Sequence, residues 1–101
     1  MKNPYFLLKE TGLPVAYNHF KNEMQLPYLV YRGNGTLNFE ADNIVYDSDY
    51  LYVVEYYYES KNEEVERQLE DLFNQHEIIW SKTEDVYIYE EDMYIIYYYL
   101  T

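Results

Sequence analysis

Few residues in this chain have types and spacings that could do chemistry. Asp47-Ser48-Asp49 has the D-x-D spacing with which some sugar-nucleotide enzymes hold a divalent metal, and Glu90-Glu91-Asp92 is a denser acidic knot. A divalent cation needs several converging oxygens, whereas acidic turns between strands usually stay solvated, so neither triplet alone makes a metal site. His19 and His76 lie beside no serine, cysteine or acid at a spacing that defines a triad or a metal centre. His76 falls where a helix C-terminus offers free carbonyls, which gives it a structural use. Gly33-Asn34-Gly35 lacks the lysine and the strand-turn-helix setting of a phosphate loop and reads as a turn. No catalytic, cofactor or metal constellation emerges, and the sequence predicts a protein that is not an enzyme.

The elements that carry these residues follow from periodicity and punctuation. Asn3 to Thr11 reads as a short helix with an Asn cap, Pro4 at its first position and Gly12 at its end. Leu13 to Phe20, with Val15, Tyr17 and His19 alternating, reads as a short strand, and Tyr28 to Arg32 as a clearer one after the loop Asn22 to Pro27. Thr36 to Asn43 reads as a loop or irregular strand, Ile44 to Tyr46 as a short strand, Asp47-Ser48-Asp49 as a turn, and Tyr50 to Tyr58 as a long strand. In that strand Glu55 and Glu59 mark the odd-numbered face as the wetter one.

Ser60-Lys61-Asn62-Glu63 fits a capping box for an amphipathic helix from Lys61 to Gln75. Val65, Leu69, Leu72, Phe73 and His76 recur at helical spacing, while Glu63, Glu64, Glu66, Arg67, Glu70 and Asp71 supply the polar side. A strand from Ile78 to Lys82, its extension through Val86 to Tyr89, the connection Glu90-Glu91-Asp92 and a strand from Met93 to Leu100 complete the order α-β-β-(β)-β-α-β-β. The economical architecture is α+β in one domain, a twisted antiparallel sheet of four to five strands with two helices packed on one face.

Composition points to surfaces rather than catalysis. Sixteen of the 101 residues are tyrosine, and 19 acids face seven bases, for a net charge of −12. Tyrosine is a strand former with an apolar ring and a polar tip, suited to a sheet that buries one face and offers the other to a partner. There is no cysteine, so packing alone must hold the fold, and the apolar runs fall short of the ~20 residues of a membrane span. The opening Met1 to Leu8 is too short for a signal sequence before Lys9 and Glu10, which leads us to expect a cytosolic protein. Residues 1–39 carry +2, with bases Lys2, Lys9, Lys21 and Arg32, and the remainder carries −14. Such a balance repels nucleic-acid phosphate and argues against specific nucleic-acid binding.

Both faces of the last strand are apolar, Tyr94/Ile96/Tyr98/Leu100 and Met93/Ile95/Tyr97/Tyr99. In a two-layer domain nothing within the chain is left to cover the second face, so a partner subunit is its natural cover. Val53, Tyr57, Ile95, Tyr97 and Tyr99 are the candidate subunit interface. Glu90, Glu91 and Asp92 are the candidate acidic channel lining or partner surface.

Several strings carry a family resemblance: Gly12-Leu13-Pro14-Val15-Ala16-Tyr17 with His19-Phe20, Leu26-Pro27-Tyr28-Leu29-Val30-Tyr31, and Asn38-Phe39-Glu40-Ala41-Asp42-Asn43-Ile44-Val45-Tyr46. Tyr52-Val53-Val54-Glu55, the acidic helix 62–73, Lys82-Thr83-Glu84 and Met93-Tyr94 extend it over nearly the whole chain. Together they resemble small head-tail morphogenesis proteins encoded by tailed phages and prophages of Gram-positive bacteria, similar to tail-terminator or tail-completion proteins of long-tailed phages. The chain departs from that pattern in its extra tyrosines, Tyr57, Tyr58, Tyr97 and Tyr99.

The resemblance carries no catalytic motif. It implies a homo-oligomeric ring, sixfold on the tail, that ends tail-tube growth and docks to the head connector, assembled in the host cytoplasm and resident at the virion head-tail junction. The acidic segment would line or flank the DNA channel, and Lys2, Lys9, Lys21 and Arg32 would meet an acidic neighbour. The alternative from another class is an acidic inhibitor that imitates DNA to occupy a host defence enzyme. That role needs carboxylates spaced like phosphates along an extended surface, whereas these acids concentrate on one helix and in two turns.

Overall fold

The stretch from Tyr28 to Tyr58, dense in β-branched and aromatic residues, folds as one long hairpin. A computed structural model describes residues 1–101. In it β2 (Tyr28–Ala41) and β3 (Ile44–Tyr58) pair antiparallel and are joined by the two-residue turn Asp42-Asn43. Both turn residues have positive φ, 54° and 63°. That is the pattern of a type I′ turn, whose twist matches the strands it joins, and Asn and Asp enter the left-handed region at the least cost among non-glycine residues.

This hairpin corrects two expectations. Gly33-Asn34-Gly35 is not a turn but part of β2, at a register shift between Gly33 and Thr36 where Gly35 takes φ 77°. A glycine inside a strand marks a bulge more readily than a reversal. Asp47-Ser48-Asp49 is likewise no turn: it lies in mid-β3, opposite Phe39, Asn38 and Leu37. Thr36 to Ala41 is the irregular strand of the two readings its sequence left open, with a second register shift between Phe39 and Glu40, and it pairs to its end because the reversal falls at Asp42-Asn43.

Around the hairpin, α1 (Tyr5–Lys9) leads into β1 (Val15–Tyr17), which lies parallel to β2 at the sheet edge. β1 stops before His19 because Asn18 turns to φ 66°. α2 (Glu63–Gln75) connects β3 to β4 (Trp80–Lys82), β5 (Val86–Ile88) and β6 (Met93–Leu100). β6 pairs antiparallel with β3, while β4 and β5 both pair antiparallel with its other edge, giving the order β1-β2-β3-β6-β4 with β5 beside β6. Thr83 carries the edge between β4 and β5, donating N–H to the Tyr97 carbonyl at 3.0 Å and accepting from Tyr97 N–H on Oγ1 at 3.1 Å. The class is α+β, with six strands and one parallel pair where four to five antiparallel strands were expected.

Both helices pack on the same sheet face. Leu7 and Leu8 of α1 and Leu69, Leu72 and Phe73 of α2 close a core with Leu29, Tyr31, Val54, Tyr56, Tyr58, Ile96, Tyr98 and Leu100. α2 begins two residues later than its sequence pattern suggests. Its cap is Asn62, whose Oδ1 accepts from Glu64 N–H at 3.1 Å, and not Ser60. Glu63, Glu64 and Glu66 then face the positive end of the helix dipole.

Replacing Asn62 with Ala should therefore cost about 1 kcal/mol in urea unfolding, while Ser60→Ala should stay within about 0.5 kcal/mol of the parent. Phe73→Ala, at a fully buried position, should cost about 3–5 kcal/mol in the same measurement.

Candidate functional site

The sheet face turned away from the helices is roofed by aromatic rings. Across the strands it presents Tyr28, Val30 and Arg32 from β2, Val53, Glu55 and Tyr57 from β3, and Ile95, Tyr97 and Tyr99 from β6. Val30, Val53 and Ile95 are buried, Tyr28, Tyr57 and Tyr97 are half-buried, and Tyr99 is exposed. Of the five residues expected at a subunit interface, then, Val53 and Ile95 form a floor, and a partner would meet only the tyrosines above it. Tyr28 and Tyr57 stack at 5.0 Å and Phe20 meets Tyr28 edge-on at 5.1 Å.

The chain does cover part of this face itself. Residues 18–24 and Leu26 line a cleft of about 580 Å³ together with Tyr28, Val30, Tyr57, Ile88, Glu91 and Met93. The expectation that nothing within the chain could cover the second face holds only for its Tyr97 and Tyr99 side.

At its centre sits a carboxylate that the sequence placed on a wet face. Glu55 is only 7 % exposed. Its Oε2 accepts from Arg32 Nε at 2.7 Å and its Oε1 accepts from the Tyr57 hydroxyl at 2.6 Å. Each acidic oxygen thus meets a donor, which a buried charge requires. Burial, then the bond to Glu55, pushes the Tyr57 phenol well above its ordinary range, and the same carboxylate raises Arg32 further.

A second polar network closes the seam between α2 and the sheet. Glu66, expected on the polar side of α2, is buried at 2 % exposure, three and seven residues before the core positions Leu69 and Phe73. Lys61 Nζ lies 2.7 Å from its Oε2, an oxygen with no aligned hydrogen bond whose charge this ammonium meets, and Lys82 Nζ donates to its Oε1 at 3.2 Å. Lys82 also donates to Glu70 at 2.7 Å and Lys61 to Asp85 at 2.9 Å. Core tyrosines end on the same acids: the Tyr98 hydroxyl donates to Glu70 at 2.7 Å and the Tyr58 hydroxyl to Asp85. Burial pulls both lysines down, but their carboxylate partners outweigh it and leave them above the ordinary value. Asp85, with burial opposing, is held below its ordinary value by Tyr58 and Lys61.

Beyond the core the hairpin runs on as a bare two-stranded ribbon. Every residue from Gly33 to Ser48 is exposed, including Leu37, Phe39, Ile44, Val45 and Tyr46. Cross-strand pairs put Leu37 beside Asp49 and Phe39 beside Asp47, so apolar and acidic side chains share a side. The molecule is consequently elongated, 50 × 28 × 24 Å. An isolated two-stranded ribbon is marginal in water. Burying one such apolar side chain against a partner is worth about 1.5–3 kcal/mol, against at most about 1 kcal/mol for an exposed ion pair. Apolar docking would therefore supply the affinity of this surface and its charges the choice of partner.

The remaining residues singled out in the sequence are dispersed. Glu90, Glu91 and Asp92 form the exposed β5–β6 turn, at the opposite end of β3 from the ribbon, where Asp92 takes φ 49° and accepts from the Tyr87 hydroxyl at 2.6 Å. Asp47 and Asp49 are two residues apart on one strand and do not converge, and Asp49 is engaged by the Met1 amino group. His76 caps α2 with Nε2 3.5 Å from Glu10, and His19 is exposed beside the cleft. No group of three or more His, Asp or Glu is arranged to hold a metal.

Sequence reasoning missed both carboxylate networks and the ribbon. The helical position of Glu66, in phase with Leu69 and Phe73, was the available signal for the second of these networks. Arg32, grouped with the free bases, is committed to Glu55. The chain matches no protein-family model, no curated protein and no solved structure.

Arg32→Ala should cost about 1–3 kcal/mol by leaving Glu55 half satisfied, and Arg32→Ala with Glu55→Leu should recover most of it in the same denaturation assay. Tyr56 is raised by burial from 10.0 to about 12, and Tyr57, Tyr58 and Tyr98 are also raised, burial being the main cause throughout. Neutral phenols then support the fold fully below pH 10, and that support is lost as pH climbs through the folded values, because the unfolded chain ionises first. Ultraviolet titration should show these four ionising in a late step that coincides with loss of the sheet's circular dichroism. A single early step with the sheet intact would contradict it.

Proposed function

We propose that this chain is a structural subunit of the head-tail junction of a long-tailed phage, one of a ring of copies that terminates or completes the tail and docks to the capsid connector. The observation that carries the reading is the ribbon. Sixteen consecutive exposed residues, Gly33 to Ser48, hold five large apolar side chains that have no cover within the chain, and an exposed apolar surface of this kind is an assembly element rather than a catalytic one. The exposed ring of Tyr99 and the half-buried ring of Tyr97 beside it add a second contact surface. The sequence strings that resemble phage head-tail proteins supply the setting.

In this reading the ribbon and the tyrosine face serve subunit and neighbour contacts. The turn Glu90-Glu91-Asp92, at the other end of the molecule, faces the channel, where negative charge keeps passing DNA from adhering. An acidic imitation of DNA is less favoured, since Glu55, Glu66, Glu70 and Asp85 are spent on internal pairs and the other acids are divided among ribbon, helix and turn.

Virions purified from a culture encoding this protein should contain it at a few to a dozen copies per particle by quantitative mass spectrometry, counted against tail-tube and portal proteins. Absence from particles alongside abundance in the infected cell would refute the junction role. Neutralising the turn with Glu90→Gln, Glu91→Gln and Asp92→Asn should slow DNA ejection while leaving particle number unchanged; unaltered ejection would remove the turn from the channel.

A further inference from the structure

Two separate surfaces of the chain each gather uncompensated charge around exposed apolar residues, one basic and one acidic. Four of its seven bases are committed internally: Arg32 to Glu55, Lys61 to Glu66 and Asp85, Arg67 to Glu63, and Lys82 to Glu66 and Glu70. The other three, Lys2, Lys9 and Lys21, are exposed and form no ion pair. Lys2 and Lys9 flank Phe6, which is 82 % exposed while Leu7 and Leu8 of the same helix are buried. The ribbon is the reciprocal surface. Glu40, Asp42 and Asp47 form no ion pair, no base lies between Gly33 and Tyr50, and Leu37, Phe39, Ile44 and Tyr46 stand exposed among the acids.

We propose that the ribbon of one copy docks on the outer face of α1 of a second copy, its acids against Lys2 and Lys9 and its apolar residues against Phe6. The proposal rests on the assembly role above and specifies its subunit contact. Charge decides the geometry. Ribbon against ribbon would bring acids together with no base to pair them, and α1 against α1 would bring lysines together, so neither twofold arrangement is favourable. Only a head-to-tail contact joins unlike surfaces, and such contacts close into rings or run on as filaments. A ribbon cannot reach its own α1 in this way. The Met1 amino group already holds Asp49 at the ribbon base, and the tip lies about 15–20 Å further out along a rigidly paired hairpin.

The chain has no cysteine, so two single-cysteine variants test the contact: Ala41→Cys on the ribbon and Glu10→Cys beside Lys9. Mixed at millimolar concentration with a short bismaleimide, they should give mixed dimers several-fold in excess of either like-with-like dimer. Adding Lys2→Glu and Lys9→Glu to the α1 variant should abolish the excess, and Glu40→Lys with Asp47→Lys on the ribbon variant, which leaves the Asp42-Asn43 reversal untouched, should restore it. Like-with-like dimers in equal or greater yield, no dimers, or mixed dimers indifferent to the charge reversals would each overturn the contact. Virion abundance is read separately: protein present in particles without mixed cross-links defeats the contact alone, and mixed cross-links with protein absent from particles defeat the junction role alone.

Discussion

The register of β3 is the constraint from which the rest of this molecule follows. Between Tyr52 and Tyr58 the strand pairs with β2 on one side and β6 on the other. Its even residues Val54, Tyr56 and Tyr58 sit under the two helices, while Val53, Glu55 and Tyr57 lie on the opposite face. A slip of one residue would exchange the sets and drive Glu55 into the helix-facing core without Arg32. The two-residue turn at Asp42-Asn43 and the Arg32–Glu55 pair oppose that slip from the two ends of the hairpin.

Tyrosine and acid, the two excesses of the composition, prove to be partly one device. Tyr58 and Tyr98 bury their rings and pass their hydroxyls to Asp85 and Glu70 at the rim, and those carboxylates in turn bind Lys61 and Lys82, which enclose Glu66. Leucine in the same positions would fill space but leave the seam carboxylates with fewer donors. The four bases that pair neutralise only this seam, Glu55 and one exposed pair on α2, and the surplus negative charge is left on the ribbon, the outer side of α2 and the β5–β6 turn.

Much of the fold was legible in the sequence. Helical spacing from Val65 to His76 gave α2, alternation and turn residues gave most strands, and both helices lie on one face as expected. What could not be read has a common cause. Turn chemistry is decided by twist and register over the whole hairpin, so Gly33-Asn34-Gly35 and Asp47-Ser48-Asp49, with the residue types of turns, are threaded through strands while the less conspicuous Asp42-Asn43 reverses the chain. The buried acids were hidden for a related reason. A carboxylate is assigned to solvent until its donor is known, and Arg32 is 23 residues from Glu55 and Lys82 is 16 from Glu66. Of the candidate surface residues, the tyrosines could be found from composition, but the ribbon could not, because Thr36 to Asn43 read as loop or irregular strand and Ile44 to Tyr46 as a short strand cut off by a turn.

The division of β2 and β3 into a buried half and a bare half separates two kinds of selection along the same two strands. Changes between Tyr52 and Tyr58 alter the core and are judged by folding, whereas changes between Gly33 and Ser48 remove no buried contact and are judged almost entirely by what the ribbon touches. Specificity can drift there without endangering the scaffold, provided Asp42-Asn43 keeps its reversal. Such a chain can acquire new neighbours by rewriting one arm, with its architecture intact.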